Sequence, residues 1–350
     1  MPLIKRKKSE EIIESANDTP VKNEVFDRSR LIPTASTLLN LALSDDPHGG
    51  FLLGTINNII GDSAAGKTFL LWSVFAEAAY DKRFKDHILR YDEPESSLEF
   101  DLAKLFGDVV EERVETDIVS ESVEGFHDNV INHADGGVPF LYGLDSMDAI
   151  STEEEIDRDV RKGSYQMTKP KLIGEILRKI VQKVKNTNSA VFIISQTRDA
   201  IGVMFGDKKT RSGGKALKFF STHEIWMAVK GHIKRKERDV GVLVRVKVGK
   251  NKVTGKLRIV EFPIYYDYGI DDTVSCINFL IEEGRWSKKP KVGTIDTKGD
   301  FDFEGKEDGL IAYIEDNDLK EELVQVTAEL WNEIEHSIST NRKPKYLERR

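Results

Sequence analysis

The stretch Gly61-Asp62-Ser63-Ala64-Ala65-Gly66-Lys67-Thr68 constrains this chain more than any other, because it fits GxxxxGK[ST] at every fixed position. It follows an apolar run, Thr55 to Ile60, that reads as a strand, and it precedes a helical pattern at Thr68 to Tyr80. A glycine-rich turn in that context points successive N–H groups and a helix N-terminus at one spot, which suits phosphate oxygens. Gly61 to Gly66 would cradle the phosphates, Lys67 would bring charge to the β- and γ-phosphates, and Thr68 would offer a hydroxyl to Mg²⁺.

Such a site needs an acidic partner at a neighbouring strand end. Val138 to Leu144 reads as a strand and ends in Asp145, the candidate second metal ligand. Another strand candidate, Ile88 to Tyr91, runs into Asp92-Glu93-Pro94-Glu95, where a carboxylate could orient a water; Glu95 is preferred and Glu93 is the alternative. A third, Ala190 to Ser195, ends at Gln196, an amide placed to sense a γ-phosphate. Helical patterns at Ser97 to Phe106 and Leu172 to Lys185 separate these strands. The alternation predicts an α/β fold with a mainly parallel twisted sheet. Period-2 segments at Glu224 to Val229, Val240 to Lys247 and Lys256 to Glu261 extend it with antiparallel strands.

The organisation expected is an N-terminal arm at 1–32, a core at 33–270 and a small C-terminal α/β or helical domain at 271–350. Residues 150–171 and 200–214 read as long polar insertions without structure, a pattern usual for functional loops. With 39% hydrophobic and 32% charged residues the chain is globular rather than disordered or fibrous. Its single cysteine, Cys276, excludes an internal disulfide and fits a reducing compartment. No apolar leader or membrane span is visible, so a cytoplasmic protein is expected. The seven histidines show no ligand spacing. The net charge of −8 argues against a nucleic-acid partner only as an average. Residues 205–260 hold 16 Lys/Arg against 4 Asp/Glu, whereas 296–336 hold 3 against 14.

Taken in order, these pieces resemble the RecA-type recombinases over about Ile32 to Ser287. The resemblance rests on the Ser36-to-Leu43 helix, the phosphate loop, Glu95-Ser96-Ser97-Leu98, Leu144-Asp145-Ser146 and Ser195-Gln196-Thr197-Arg198. Most specific are Gly213-Gly214-Lys215-Ala216-Leu217-Lys218-Phe219-Phe220 and Arg245 to Lys252. The resemblance implies a RecA-like core in which Glu95 is catalytic, Gln196 couples ATP to DNA, and 150–171 and 197–214 are DNA loops. It implies that Lys250 and Lys252 reach a neighbour's ATP, that Tyr266 lies near the nucleotide, and that Phe219 packs on the adjacent subunit. Met167 and Ile201 would wedge between bases; Lys171, Arg178 and Arg198 match phosphate-contacting positions, and Arg211, Gly213, Gly214 and Lys215 close the second loop. Loops mixing Lys, Arg and Gly with such apolar residues suit single strands on physical grounds too.

One extra residue in Asp92 to Glu95, and Leu102 where the bacterial enzymes stack a tyrosine on adenine, depart from the family pattern. The function implied is an ATP- and Mg²⁺-dependent recombinase forming helical filaments on single-stranded DNA and pairing it with homologous duplex DNA. A single-strand-binding or loader protein would be a partner, and no membrane is implied. A ring helicase of the same superfamily, and a recombination mediator that binds ATP and DNA without strand exchange, are the alternatives.

Overall fold

The computed structural model describes residues 27–96, 101–157, 168–199, 209–211, 214–340 and 342. Chain contacts divide it into Met1–Arg30 and Leu31–Arg350. In the first unit the described residues form a 3-10 turn at Arg28–Arg30, closed by the Asp27 carboxylate, which accepts Ser29 Oγ at 2.6 Å.

The second unit begins with β1 (Leu31–Ile32), α1 (Thr37–Ser44) and β2 (Phe51–Leu52), followed by β3 (Thr55–Gly61) and α2 (Lys67–Tyr80). Next come β4 (Ile88–Asp92), α3 (Leu102–Phe106), α4 (Asp108–Arg113), β5 (Val114–Glu115), α5 (Val123–Asp135), β6 (Phe140–Leu144) and α6 (Glu153–Ile156). Then follow α7 (Thr168–Asn186), β7 (Ala190–Asp199), β8 (Lys209–Arg211), α8 (Gly214–Phe220), β9 (His223–Arg235), β10 (Arg238–Asn251), β11 (Ile259–Tyr265) and β12 (Gly269–Ile270). The C-terminal helices are α9 (Asp272–Glu282), α10 (Glu307–Asp316) and α11 (Lys320–Ser337).

Among the described residues β1 pairs with β2, and β3 to β12 build one ten-stranded sheet, ordered β12-β11-β10-β9-β3-β7-β6-β4-β5, with β8 pairing β7 off that path. From β9 to β5 every neighbouring pair is parallel. From β9 to β12 every pair is antiparallel. The mixed α/β sheet expected from the sequence is therefore present. Side chains alternate across it, as strand geometry requires. On β7, Ala190, Phe192 and Ile194 join a core with α1 and α2 (Leu41, Trp72, Phe75), while Val191 and Ile193 join one with α5 and α7 (Phe126, Val130, Ile176, Leu177, Ile180). A further apolar cluster gathers Cys276, Leu280, Trp286, Leu310, Ile314 and Leu323 in the C-terminal region. Helix α11 serves two clusters, since Ala328 and Trp331 pack into the α1/α2 core while Leu323 and Leu330 face the C-terminal one.

The structure corrects several sequence expectations. Of residues 150–171, the described ones at each end carry helices, and 158–167 lie outside the described residues. Thr152 caps α6, its Oγ1 accepting Glu155 N at 3.1 Å while the Glu155 carboxylate accepts Thr152 N at 3.2 Å, and α7 already starts at Thr168. Within 200–214, β8 pairs with Thr197 to Asp199. The last strand runs over Ile259–Tyr265 rather than Lys256 to Glu261. Lys256 and Arg258 leave the period-2 pattern because their charges go to Glu335, at 3.0 and 2.5 Å. Helix α5 was not anticipated, although Val123, Phe126, Val130 and Ala134 recur at helical spacing and Ser122 Oγ accepts Gly125 N at 2.9 Å as its N-cap.

Candidate active site

Parallel register decides what comes together. Gly61 lies opposite Gln196 on β7, and Asp92 lies opposite Leu144 on β6, so β3, β4, β6 and β7 all end at one edge. Ligands of open α/β sheets gather at such an edge. The phosphate loop leaves β3 there and turns through Ala64 at φ 60° and Gly66 at φ 82° before α2 starts at Lys67. Gly66 is demanded by its φ; an added Cβ would also lie 2.6 Å from Ile264 Cδ1, a side-chain tip that can move aside.

Lys67 is 7% exposed, and its Nζ donates to the Asp62 carbonyl at 2.6 Å. Burial pushes its pKa below the usual lysine range, opposed by the charges of Asp145, Asp62, Glu95 and Asp148. Thr68 Oγ1 donates to Asp145 Oδ2 at 2.6 Å, and Tyr91 OH donates to the same oxygen at 3.1 Å. Burial raises the Asp145 pKa, while these two hydroxyl donors oppose it. A hydroxyl and a carboxylate held this close form a hard-oxygen pair that could serve a Mg²⁺ whose remaining positions go to phosphates and water. Among the described residues no group of three His, Cys, Asp or Glu side chains is arranged to hold a metal unaided.

Glu95, beyond β4, accepts Ser146 Oγ at 3.0 Å on Oε1 and is approached there by Gln196 Nε2 at 3.5 Å. The Gln196 backbone N–H donates to Asp148 Oδ2 at 2.8 Å. Sequence reasoning missed Ser146, Tyr91 and Asp148. The first two sit on or beside strands already marked, so register alone would have found them. Asp92, the first acid of the same turn, is fully buried and structural: it accepts Ser120 Oγ and Tyr142 OH, each at 2.5 Å. Burial raises its pKa, and those donors oppose the shift.

The structure thus gathers Lys67, Thr68, Asp145, Glu95 and Gln196. Lys250 and Lys252 lie elsewhere. Lys252 Nζ donates to the Phe219 carbonyl at 3.2 Å, and Lys250 Nζ donates to the same oxygen at 3.0 Å and to the Lys218 carbonyl. Both ammoniums therefore sit on the carbonyl end of α8, where a helix favours positive charge. Burial first, and the Lys252 charge second, push the Lys250 pKa down to about 8. Phe219 is 71% exposed and Tyr266 47% exposed; the Tyr266 N–H donates to the Val240 carbonyl at 3.0 Å.

The candidate DNA residues occupy two packed helices and a hairpin. Lys171 and Arg178 are exposed on α7, a Cβ on Gly174 would touch Ala216 of α8 at 3.4 Å, and Lys215 is exposed on α8. Gly214 begins α8 at φ 66°, a value that favours glycine. Arg198 pairs with Thr210, and Thr197 with Arg211, across β7 and β8. Met167, Ile201 and Gly213 lie outside the described residues.

Comparison with known proteins agrees with this architecture. The family described as RecA N-terminal domain matches residues 19–271. The chain is 30% identical over 297 residues to Protein RecA of Nocardia farcinica, covering 84% of this chain and 81% of that protein. It is 31% identical to Protein RecA 2 of Myxococcus xanthus over 286 residues (79% and 75%). To Protein RecA of Paracoccus denitrificans it is 33% identical over 254 residues (72% and 68%). With a family match across most of its length and a parallel sheet that brings the phosphate loop, Asp145, Glu95 and Gln196 to one edge, the chain belongs to the RecA family of recombination and repair proteins.

Proposed function

We propose that the protein is a DNA-dependent ATPase that forms filaments on single-stranded DNA and pairs it with homologous duplex DNA. The observation that carries this reading is the Glu95 carboxylate, which shares one oxygen between Ser146 and Gln196 beside the phosphate loop. A group placed to act on water is thereby tied to the first residues of the second loop.

In this reading Lys67 exchanges the Asp62 carbonyl for the β- and γ-phosphates, and Glu95 orients the attacking water. Thr68 and Asp145 hold Mg²⁺, which would neutralise charge on the phosphates. Tyr91 keeps the Asp145 carboxylate turned toward Thr68, and Gln196 reports on the γ-phosphate through Glu95. Lys171, Arg178 and Lys215, with Arg198 and Arg211 on the hairpin, supply phosphate contacts to the strand, and Met167 and Ile201 the apolar wedges. Lys250 and Lys252 act on the nucleotide of an adjacent protomer; in support, their hydrogen bonds go to the end of α8 rather than to their own phosphate loop. Among the described residues no helix is long and apolar enough to cross a membrane, and the proposed site of action is the cytoplasm.

The test is ATP turnover with and without single-stranded DNA, paired with electron microscopy of the protein on that DNA with an ATP analogue. Stimulated turnover and filaments are expected. Turnover indifferent to DNA, or closed rings, would overturn the reading.

A further inference from the structure

Asp62 is engaged through both its backbone and its side chain. Its backbone carbonyl accepts Lys67 Nζ at 2.6 Å, and its carboxylate accepts the hydroxyl of Thr197. The second contact follows from register: Gly61 and Gln196 are the last paired residues of β3 and β7, so Asp62 and Thr197 are the next residues along two adjacent parallel strands. Thr197 is also the first residue of β7 to pair with β8, opposite Arg211. One side-chain hydrogen bond therefore joins the phosphate loop to the hairpin that frames residues 200–208. This connection does not pass through Glu95 or Gln196.

We propose that the Asp62–Thr197 hydrogen bond is a second link between the nucleotide and the second DNA loop, with Thr197 a positioning residue; the inference rests on the ATP- and DNA-binding reading above. A phosphate entering the loop competes with the Asp62 carbonyl for the Lys67 ammonium. When Lys67 leaves, the Asp62 carbonyl loses its short charge-assisted donor and keeps the longer bond from the Ala65 N–H at 3.3 Å; the peptide reorients toward that donor, and its carboxylate shifts with it. A hydroxyl has a single proton to donate, so Thr197 either follows the carboxylate or gives up a charge-assisted bond. The end of β7 and its partner β8 are thereby biased by the state of the phosphate loop. By linkage, ordering of the hairpin on DNA biases the loop toward the nucleotide by the same factor. Gly61 anchors the motion on the sheet side, since any Cβ there would lie 2.6 Å from the Met227 carbonyl.

The experiment measures the affinity of a fluorescent oligothymidylate with and without saturating ATPγS and Mg²⁺, and takes the ratio of the two. Thr197→Val keeps the shape of the side chain and removes the donor; it should reduce the ratio by about tenfold. Thr197→Ser should restore it to within about twofold, and Asp62→Asn combined with Thr197→Val should lower it no further than Thr197→Val alone. A variant that merely weakens the fold would lower both affinities together and leave the ratio unchanged. A wild-type ratio in Thr197→Val, or a Thr197→Ser variant as poor as Thr197→Val, would overturn the link while leaving the functional reading intact. A ratio of one in the wild-type protein would overturn both.

Discussion

The parallel and antiparallel halves of the sheet carry their lysines in opposite company. In the parallel half, Lys67 lies among the carboxylates of Asp145, Asp62, Glu95 and Asp148, and the groups proposed for binding and water attack converge within one chain. In the antiparallel half, Lys250 lies beside Lys252 and Lys218, whose like charges the Glu224 carboxylate only partly opposes, and it rests on helix carbonyls. The same ammonium is held in place by acidic neighbours in one half and is crowded by like charge in the other. A lysine of the second kind gains from meeting an anion brought from outside. The difference fits the proposed division of labour, in which one half is a pocket and the other is offered to a neighbour's pocket.

The comparison breaks most readily at Lys67. Lys67→Ala should lower DNA-stimulated hydrolysis by at least about 10³-fold, read as phosphate release. Glu95→Gln should lower hydrolysis by about 10² to 10³-fold with nucleotide affinity retained, measured with a fluorescent ATP analogue; if Glu93→Gln gave that pattern instead, the water-orienting role would move to Glu93. The sharpest test of the two halves mixes variants. Lys67→Ala and Lys250→Ala, each inactive alone, should recover roughly a quarter of wild-type turnover in equimolar mixture, because about one interface in four then pairs an intact phosphate loop with intact lysines. No recovery would mean that the antiparallel lysines serve their own chain.

Two smaller effects follow from pKa directions. The Lys250 pKa lies at about 8, below the usual lysine value, so its charge is present below that pH and lost as pH rises through it. Turnover should fall across pH 8 to 9, and Lys250→Arg should flatten the fall if the charge alone matters. Asp272 accepts Thr37 N at 2.7 Å and Thr37 Oγ1 at 2.6 Å, tying α9 to the start of α1. Burial pushes its pKa up to about 6. A raised carboxyl costs stability above pH 6, and that cost disappears as pH falls toward the unfolded value near 4. The melting-temperature difference between wild type and Asp272→Asn should therefore shift by about 3 °C in favour of wild type between pH 6.5 and 4.5. A flat difference would remove Asp272 from the pH response of that seam.

Local sequence carried much of the first half and little of the second. Lys67 and Thr68 are legible because eight consecutive residues encode the turn, and Asp145, Glu95 and Gln196 because each follows a strand recognisable by its own apolar run. Thr197, Tyr91 and Ser146 acquire meaning only from pairing register, which no single segment specifies. Tyr142-Gly143 interrupts the aliphatic run of β6 in the sequence. In the fold Tyr142 reaches Asp92, and any Cβ on Gly143 would press on Leu71 at 2.8 Å and Phe75 at 3.0 Å, so the missing side chain is what lets α2 lie against the strand. Helix α5 was hidden because Glu124, His127, Asp128 and Asn129 dilute its apolar stripe. The destinations of Lys250 and Lys252 required knowing where α8 ends.

The acidic stretch illustrates the limit of counting charge. Residues 296–336 form most of a packed region, and several of their carboxylates are already taken. Asp300 binds Arg285 at 2.6 Å, Glu304 binds Lys289 at 2.6 Å, Glu307 binds Lys288 at 2.7 Å, and Glu335 binds Arg258 at 2.5 Å. A partner approaching this face in physiological salt, with screening over about 8 Å, meets ion pairs interspersed with the remaining carboxylates, a weaker field than the raw count suggests. The region cannot be trimmed away as a removable brake, because cutting at 296 would strip Leu310, Ile314 and Leu323 from a shared core. The region is tied into the fold through that core and through the seam of α9 with α1, where Asp272 accepts Thr37.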